Sequence, residues 1–181
     1  RYGDQWAKSG HDVFQKMYNP DALKVREAAI DEAKQWLQSF VDKKLYIIFE
    51  APKPIFKAPP FRCSDWFNRH NPICVGDNQQ PRAEMQRLRE PIVTSMYGLT
   101  HVFPSVSVWD PFPILCPGDT CFTEKDGRPL FFDGDHLSAY GNMVLYPHFK
   151  TYIDALLAES CKKNKAAQRP PCDIAANRDE F

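Results

Sequence analysis

Apolar positions in the segment 19–44, NPDALKVREAAIDEAKQWLQSFVDKK, recur at Leu23, Ile30, Ala33, Leu37, Phe40 and Val41. They fall largely on one face of a 3.6-residue period, so the segment predicts an amphipathic helix. Asn19 suits its cap and Pro20 its first helical position. After two lysines the pattern changes to the unbroken run LYIIF (45–49), which predicts a strand covered on both faces. EAPKPIFKAPPF is too rich in Pro for regular structure and reads as the loop leaving the C-terminal end of that strand. Residues 62–80 read as an irregular excursion. PRAEMQRLREPIVTSMYG (81–98) predicts a second helix, kinked at Pro91 and ended by Gly98. HVFPSVSVW (101–109), with Val102, Val106 and Val108, predicts the next strand, and RPLFF a short one further on. A third helix follows His136, capped by Ser138, with Tyr140, Val144, Tyr152, Ile153, Leu156 and Leu157 at helical spacing and a bend at Pro147. No internal repeat is visible.

Helix–strand–helix–strand–helix order implies an α/β sheet with helices on both faces. Ligands of such sheets bind outside the C-terminal strand ends, where residues 50–60 and 110–136 fall.

Composition narrows the class. The 181 residues suit one domain with a hydrophobic core, and 43% hydrophobic content fits a globular chain. Lys plus Arg equals Asp plus Glu at 23 each, a balance that argues against a nucleic-acid partner. No apolar run approaches bilayer length. The start, RYGDQWAKSG, is neither an initiator Met nor a signal peptide, and reads as a mature or excised portion of a longer protein. Six cysteines fall into the close pairs Cys63 and Cys74, Cys116 and Cys121, Cys161 and Cys172. In loop-like contexts they predict disulfides in an oxidising, periplasmic or extracellular compartment, although six cysteines allow 15 connectivities. The Cys-x-x-Cys knuckles of a zinc site are absent. A bridge between Cys116 and Cys121 closes too short a loop to add much stability, and is expected to rigidify the segment after Asp110.

The densest chemistry is FFDGDHLSAYG, 131–141. A carboxylate at Asp133 can reach the imidazole of His136 across a turn, fix its tautomer and leave Nε2 as a general base. The same residues also make an ordinary turn before a capped helix. Asp135 is the other candidate acid. Neighbouring side chains on extended backbone point apart, which favours Asp133. A metal set of Asp133, Asp135 and His136 with His148 is conceivable, but His148 reads as a packed or surface histidine within a helix. No metal or cofactor is therefore assigned. Trp66, Phe67, His70 and Trp109 are candidates for an aromatic sugar platform or for plain packing.

FFDGDHLSAYGN resembles the last motif block of SGNH-type hydrolases, D-x-x-H, in the form found in SGNH domains fused behind the membrane acyltransferase family 3 module of bacterial surface-polysaccharide O-acyltransferases. VWDPFPILCPGDTCFTEKDGRPLFFDGDHLSAYG supports the resemblance with a strand ending in Asp-Pro and a Cys-Pro loop closed by a second Cys. Residues 106–141 carry it most specifically, and 19–105 agree in element order. The resemblance implies a flavodoxin-like three-layer α/β/α fold over 1–160, with a polar Cys-containing tail at 161–181. It makes Asp133 and His136 the acid and base of a Ser-His-Asp triad, with Ser138 a cap. The implied reaction moves an acyl group, acetyl by expectation, onto a cell-envelope carbohydrate. The donor would be delivered by a membrane module, at a periplasmic or extracellular face. The family's Gly-Asp-Ser block is absent. Gly3-Asp4 is followed by Gln5, and Ser9, Ser39, Ser64, Ser95, Ser105, Ser107 and Ser160 lack its context. Gly76 and Asn78 stand in the wrong order and place for oxyanion donors. The expectation is an N-terminally truncated domain, inactive alone. A secreted carbohydrate esterase and a non-catalytic glycan-binding domain are the alternatives.

Overall fold

The structure is a computed structural model that describes residues 20–166 apart from 57, 58, 64, 69, 73, 76 and 77. The chain divides into two compact units, Arg1–Asn142 and Met143–Phe181.

In the first unit, helix α1 (Pro20–Asp42) begins at the Pro whose fixed φ suits a first turn; Asn19 lies outside the described residues. The helix ends where Lys44 takes φ 60°. There the Leu45 N–H donates to the Phe40 carbonyl (3.1 Å) and the Lys44 N–H to that of Val41 (2.8 Å), a Schellman closure with Lys where Gly is usual. Strand β1 (Ile47–Glu50) follows. After the 51–56 loop come α2 (Pro60–Cys63), β2 (Gln79–Pro81), α3 (Arg82–Val102) and β3 (Val106–Trp109). β1 and β3 pair in parallel, Ile47 opposite Val106 through Glu50 opposite Trp109, so α3 supplies the crossover that parallel neighbours need. Leu37, Leu99, Phe103 and Val106 form one core cluster, with Ile30, Ala33, Val41, Ile47 and Phe49 packed on it. That apolar surface, removed from water, is what holds α1 and α3 to the sheet.

Three element boundaries differ from the sequence reading. α3 runs through Gly98 to Val102. Its Gly has open space around it and an ordinary φ, so nothing there breaks the helix. His101 and Val102 therefore belong to α3, and β3 starts only at Val106. The run LYIIF is not covered throughout. Leu45 and Tyr46 are exposed, at 48% and 54%, and precede the strand. Among the described residues β1 hydrogen-bonds one neighbour, β3.

Beyond β3, a short α4 (Phe112–Leu115) leads to β4 (Thr120–Phe122), which pairs antiparallel with β2. The Arg82 N–H donates to the Asp119 carbonyl at 2.8 Å, so the segment leading into β4 satisfies an orphan donor at the start of α3. The Cys116–Cys121 and Cys63–Cys74 bridges are both formed; Cys172 lies outside the described residues. Cys116 and Cys121 are fully buried, so their bridge is also a core element, and its removal costs packing as well as loop order. The expected RPLFF strand is reduced to β6 (Arg128–Pro129), paired with β5 (Glu124–Lys125). Between them Asp126 (φ 54°) and Gly127 (φ 70°) make the two-residue turn that an Asp-Gly pair favours. Phe131 then bridges to Leu137.

The last helix, α5 (Ala139–Ala166), starts in the first unit and makes up the described part of the second. Ser138 caps it: its Oγ accepts the Gly141 N–H at 3.0 Å and donates to the Pro129 carbonyl at 2.5 Å. Pro147 lies inside the helix, which continues past Cys161 to Ala166.

Candidate active site

Both parallel strands release their chains at the same end of the sheet. The Ala51 N–H extends the ladder to the Trp109 carbonyl at 2.9 Å. Ala51, Pro54 and Phe56 are buried, so the Pro-rich 51–56 loop is a packed strap. Its tip meets the Asp/His segment: the Phe56 N–H donates to the Gly134 carbonyl at 2.8 Å, and the Phe56 ring stands edge-on to Phe131 with centroids 5.1 Å apart. A Cβ at Gly134 would sit 2.2 Å from the Phe56 carbonyl oxygen. Only glycine permits that approach.

Residues 130–138 form a tight loop pinned at each end. The Leu130 N–H donates to the Thr123 carbonyl (2.8 Å), Phe132 N–H to that of His136 (2.7 Å), and Ser138 N–H to that of Leu130 (2.9 Å). Inside it, the Asp133 carboxylate accepts the N–H groups of Asp135 (3.0 Å) and His136 (2.7 Å) through Oδ1. Nδ1 of His136 lies 2.8 Å from Oδ2 and 3.1 Å from Oδ1 of the same carboxylate. A carboxylate only accepts, so Nδ1 carries the proton and the neutral ring holds its lone pair on Nε2. The His136 side chain is 71% exposed, which leaves that edge open to an incoming group. Asp135 does not point away: its Oδ1 is 3.1 Å from the same Nδ1. The bent backbone between Phe132 and His136 removes the alternation on which the sequence argument relied.

Electrostatics follow from these contacts. Burial pulls the Asp133 carboxyl upward, but the backbone N–H groups of His136 and Asp135 and the bond to the imidazole outweigh it, holding the group well below the ordinary carboxylate range. Burial, and next the hydrogen bond with Asp133, push Asp135 up. The hydrogen bond to Asp133 raises His136, and the charges of Asp135 and Asp133 add to it. The raised histidine stabilises the fold below its ordinary pKa, and that contribution is lost as pH rises through the folded value. The depressed Asp133 stabilises above the ordinary aspartate pKa and loses its contribution as pH falls through its folded value. In an NMR titration, His136 should titrate above its ordinary 6.5. Asp133→Asn should bring it down, because the main raising contact is gone.

Ligand atoms of Asp133, Asp135 and His136 lie within 4.8 Å of one another, close enough to touch one cation. Nδ1 and the Asp133 oxygens are already bonded to each other, so a metal would first have to break that pair. His148 is exposed on α5. Of the proposed sugar platform, Trp66 and Phe67 are exposed and stand edge-on at 5.8 Å. His70 is exposed, and Trp109 is half-buried on β3. A different aromatic pair involves the Asp/His loop: Phe61 and its own Phe132, both exposed, lie with centroids 5.3 Å apart and ring planes tilted by 35°. The Asn78 carbonyl accepts the Thr123 N–H at 2.9 Å; Gly3, Asp4, Gln5 and Gly76 lie outside the described residues.

Sequence reasoning passed over Arg89 and the partner role of Asp110. From α3, Arg89 Nη2 meets Asp110 Oδ1 at 2.5 Å, its Nε donates to the Pro52 carbonyl at 3.0 Å, and its guanidinium lies 4.5 Å from the centre of the Phe112 ring. Asp110 Oδ1 also accepts the Phe112 N–H at 3.0 Å. The Asp-Pro at the end of β3 was visible in the sequence; its partner, distant along the chain, was not.

A carboxylate–imidazole pair is thus set on a loop tied to the strap that leaves the two parallel strands of an α/β protein. The chain belongs to the family of SGNH domains fused to AT3 (acyltransferase 3) domains: the family's description, SGNH domain (fused to AT3 domains), matches residues 2–151. Membership carries the SGNH hydrolase-like α/β fold and, in general, esterase or acyltransferase chemistry. No curated protein and no solved structure matches the chain. The two disulfides fit an extracellular or periplasmic setting, and no described helix is long and apolar enough to cross a membrane.

Proposed function

We propose that residues 131–141 supply the acid–base half of an O-acyltransferase that moves an acyl group, acetyl in the simplest case, onto cell-envelope carbohydrate. The observation that carries this reading is the 2.8 Å contact between Nδ1 of His136 and Oδ2 of Asp133, with Nε2 left on the exposed edge. In the proposed cycle a Ser hydroxyl gives its proton to Nε2 as its oxygen attacks the acyl carbonyl, and Asp133 stabilises the imidazolium. The leaving group takes that proton as its bond to carbon breaks. A sugar hydroxyl then loses its proton to Nε2 as it attacks the acyl-enzyme; the acyl–Ser bond breaks and Nε2 returns the proton to the Ser oxygen, restoring both groups. The exposed Phe61–Phe132 pair supports a carbohydrate acceptor, because ring faces of this kind suit the apolar face of a sugar.

The sequence holds no Gly-Asp-Ser, and in this reading the nucleophile is a Ser supplied by residues outside this sequence. The full domain in this reading is a flavodoxin-like three-layer α/β/α unit, tethered to a membrane acyltransferase module that delivers the donor at the periplasmic or extracellular face. The test measures acetyl-ester turnover and the mass of any acyl-enzyme for the 181-residue chain and for a chain that includes the Ser block. The first should be inactive and the second should acylate on that Ser and pass the group to a saccharide. Transfer to water alone, with saccharide ignored, would favour an esterase. A longer chain that never acylates would leave a glycan-binding domain.

A further inference from the structure

We propose that Arg89 is a positioning residue for the Asp133–His136 loop, acting through the 51–56 strap. The connection is continuous. Arg89 holds the start of the strap through the Pro52 carbonyl and the end of β3 through Asp110. The far end of the strap holds Gly134 through the Phe56 N–H and supports Phe131 through the Phe56 ring. Between these points Pro54 and Phe56 are buried and the two prolines at 52 and 54 restrict the backbone, so the strap transmits a displacement better than a flexible loop would. Arg89 itself is only 11% exposed and Asp110 23%. The planar fork, with two bonds in different directions and a stacked ring beneath it, fixes the guanidinium in a way that a point charge does not.

The inference rests on the acid–base reading only for its effect on rate; the geometry can be tested without turnover. In Arg89→Lys the ammonium keeps a charge opposite Asp110 but cannot reproduce the fork that also reaches Pro52. Amide exchange at Phe56, followed by NMR, should accelerate about tenfold or more as the strap opens locally. The His136 titration should move from its raised position toward its ordinary value, as contact with Asp133 loosens while Asp135 remains beside the ring. Asp110→Asn is the control: it removes the charge pair and leaves the Nε bond to Pro52, so it should lower the melting temperature but shift both readouts less. If Arg89→Lys does not fold, the double variant Arg89→Met, Asp110→Leu removes the buried charges together with the Pro52 bond and should give the same two changes. Wild-type exchange at Phe56 and an unmoved His136 titration in the folded variant would overturn the proposal. So would an Asp110→Asn variant that shifts both as far as Arg89→Lys. Neither result depends on acyl transfer, so this inference and the proposed function fail separately.

Discussion

Replacing His136 by Ala, in a chain that includes the Ser block, is expected to lower acyl transfer by about 10²–10⁴, the usual worth of a positioned general base. The fold should survive. The ring is largely exposed, and what organises the loop is the Asp133 carboxylate on two backbone N–H groups, which the substitution leaves in place. Substitutions at exposed positions usually change stability little. Circular dichroism and melting should therefore match wild type while ester turnover collapses. Near-normal turnover in the folded variant would remove His136 from the reaction.

Gly134→Ala is expected to be strongly destabilising. The new carbon would fall 2.2 Å from the Phe56 carbonyl oxygen, a backbone atom that cannot swing aside as a side chain can. Either the strap or the Asp/His loop must move, breaking the Phe56–Gly134 hydrogen bond and opening the packing between Phe56 and Phe131. A loss of about 2–4 kcal/mol in unfolding free energy follows from overpacking plus a lost buried bond. Chemical denaturation measures it. A Gly134→Ala protein as stable as wild type, with the Phe56 amide still protected, would mean that the strap does not lie against the loop.

Much of this arrangement was legible before the structure. The apolar stripe of α1 gives its buried face, since Ile30, Ala33, Leu37 and Val41 all meet the core. Ser138 announced a cap because a hydroxyl placed before a helical run has an orphan N–H to accept. The Asp133–His136 contact was readable because the two residues are close in sequence. Boundaries were less so: Gly98 stays helical because a glycine costs a helix only about 1 kcal/mol. The Asp126-Gly127 hairpin was missed although its dipeptide is a strong turn signal. What no local pattern could reveal is the tertiary part of the site. Arg89 looks like any helical arginine until the fold brings Pro52, Asp110 and Phe112 around it, and Gly134 looks like a turn glycine until the strap arrives against it.

In the proposed cycle Asp133, rather than Asp135, completes the pair with His136. Both carboxylates approach Nδ1, but only Asp133 combines that contact with the His136 and Asp135 N–H groups. The most direct measurement is acyl-transfer rate for Asp133→Asn beside Asp135→Asn, in chains that include the Ser block and at a pH where wild-type His136 is neutral. Loss of about 10²-fold or more for Asp133→Asn, with a much smaller loss for Asp135→Asn, is the predicted result. The reverse order, or two variants that both retain wild-type rates, would contradict it.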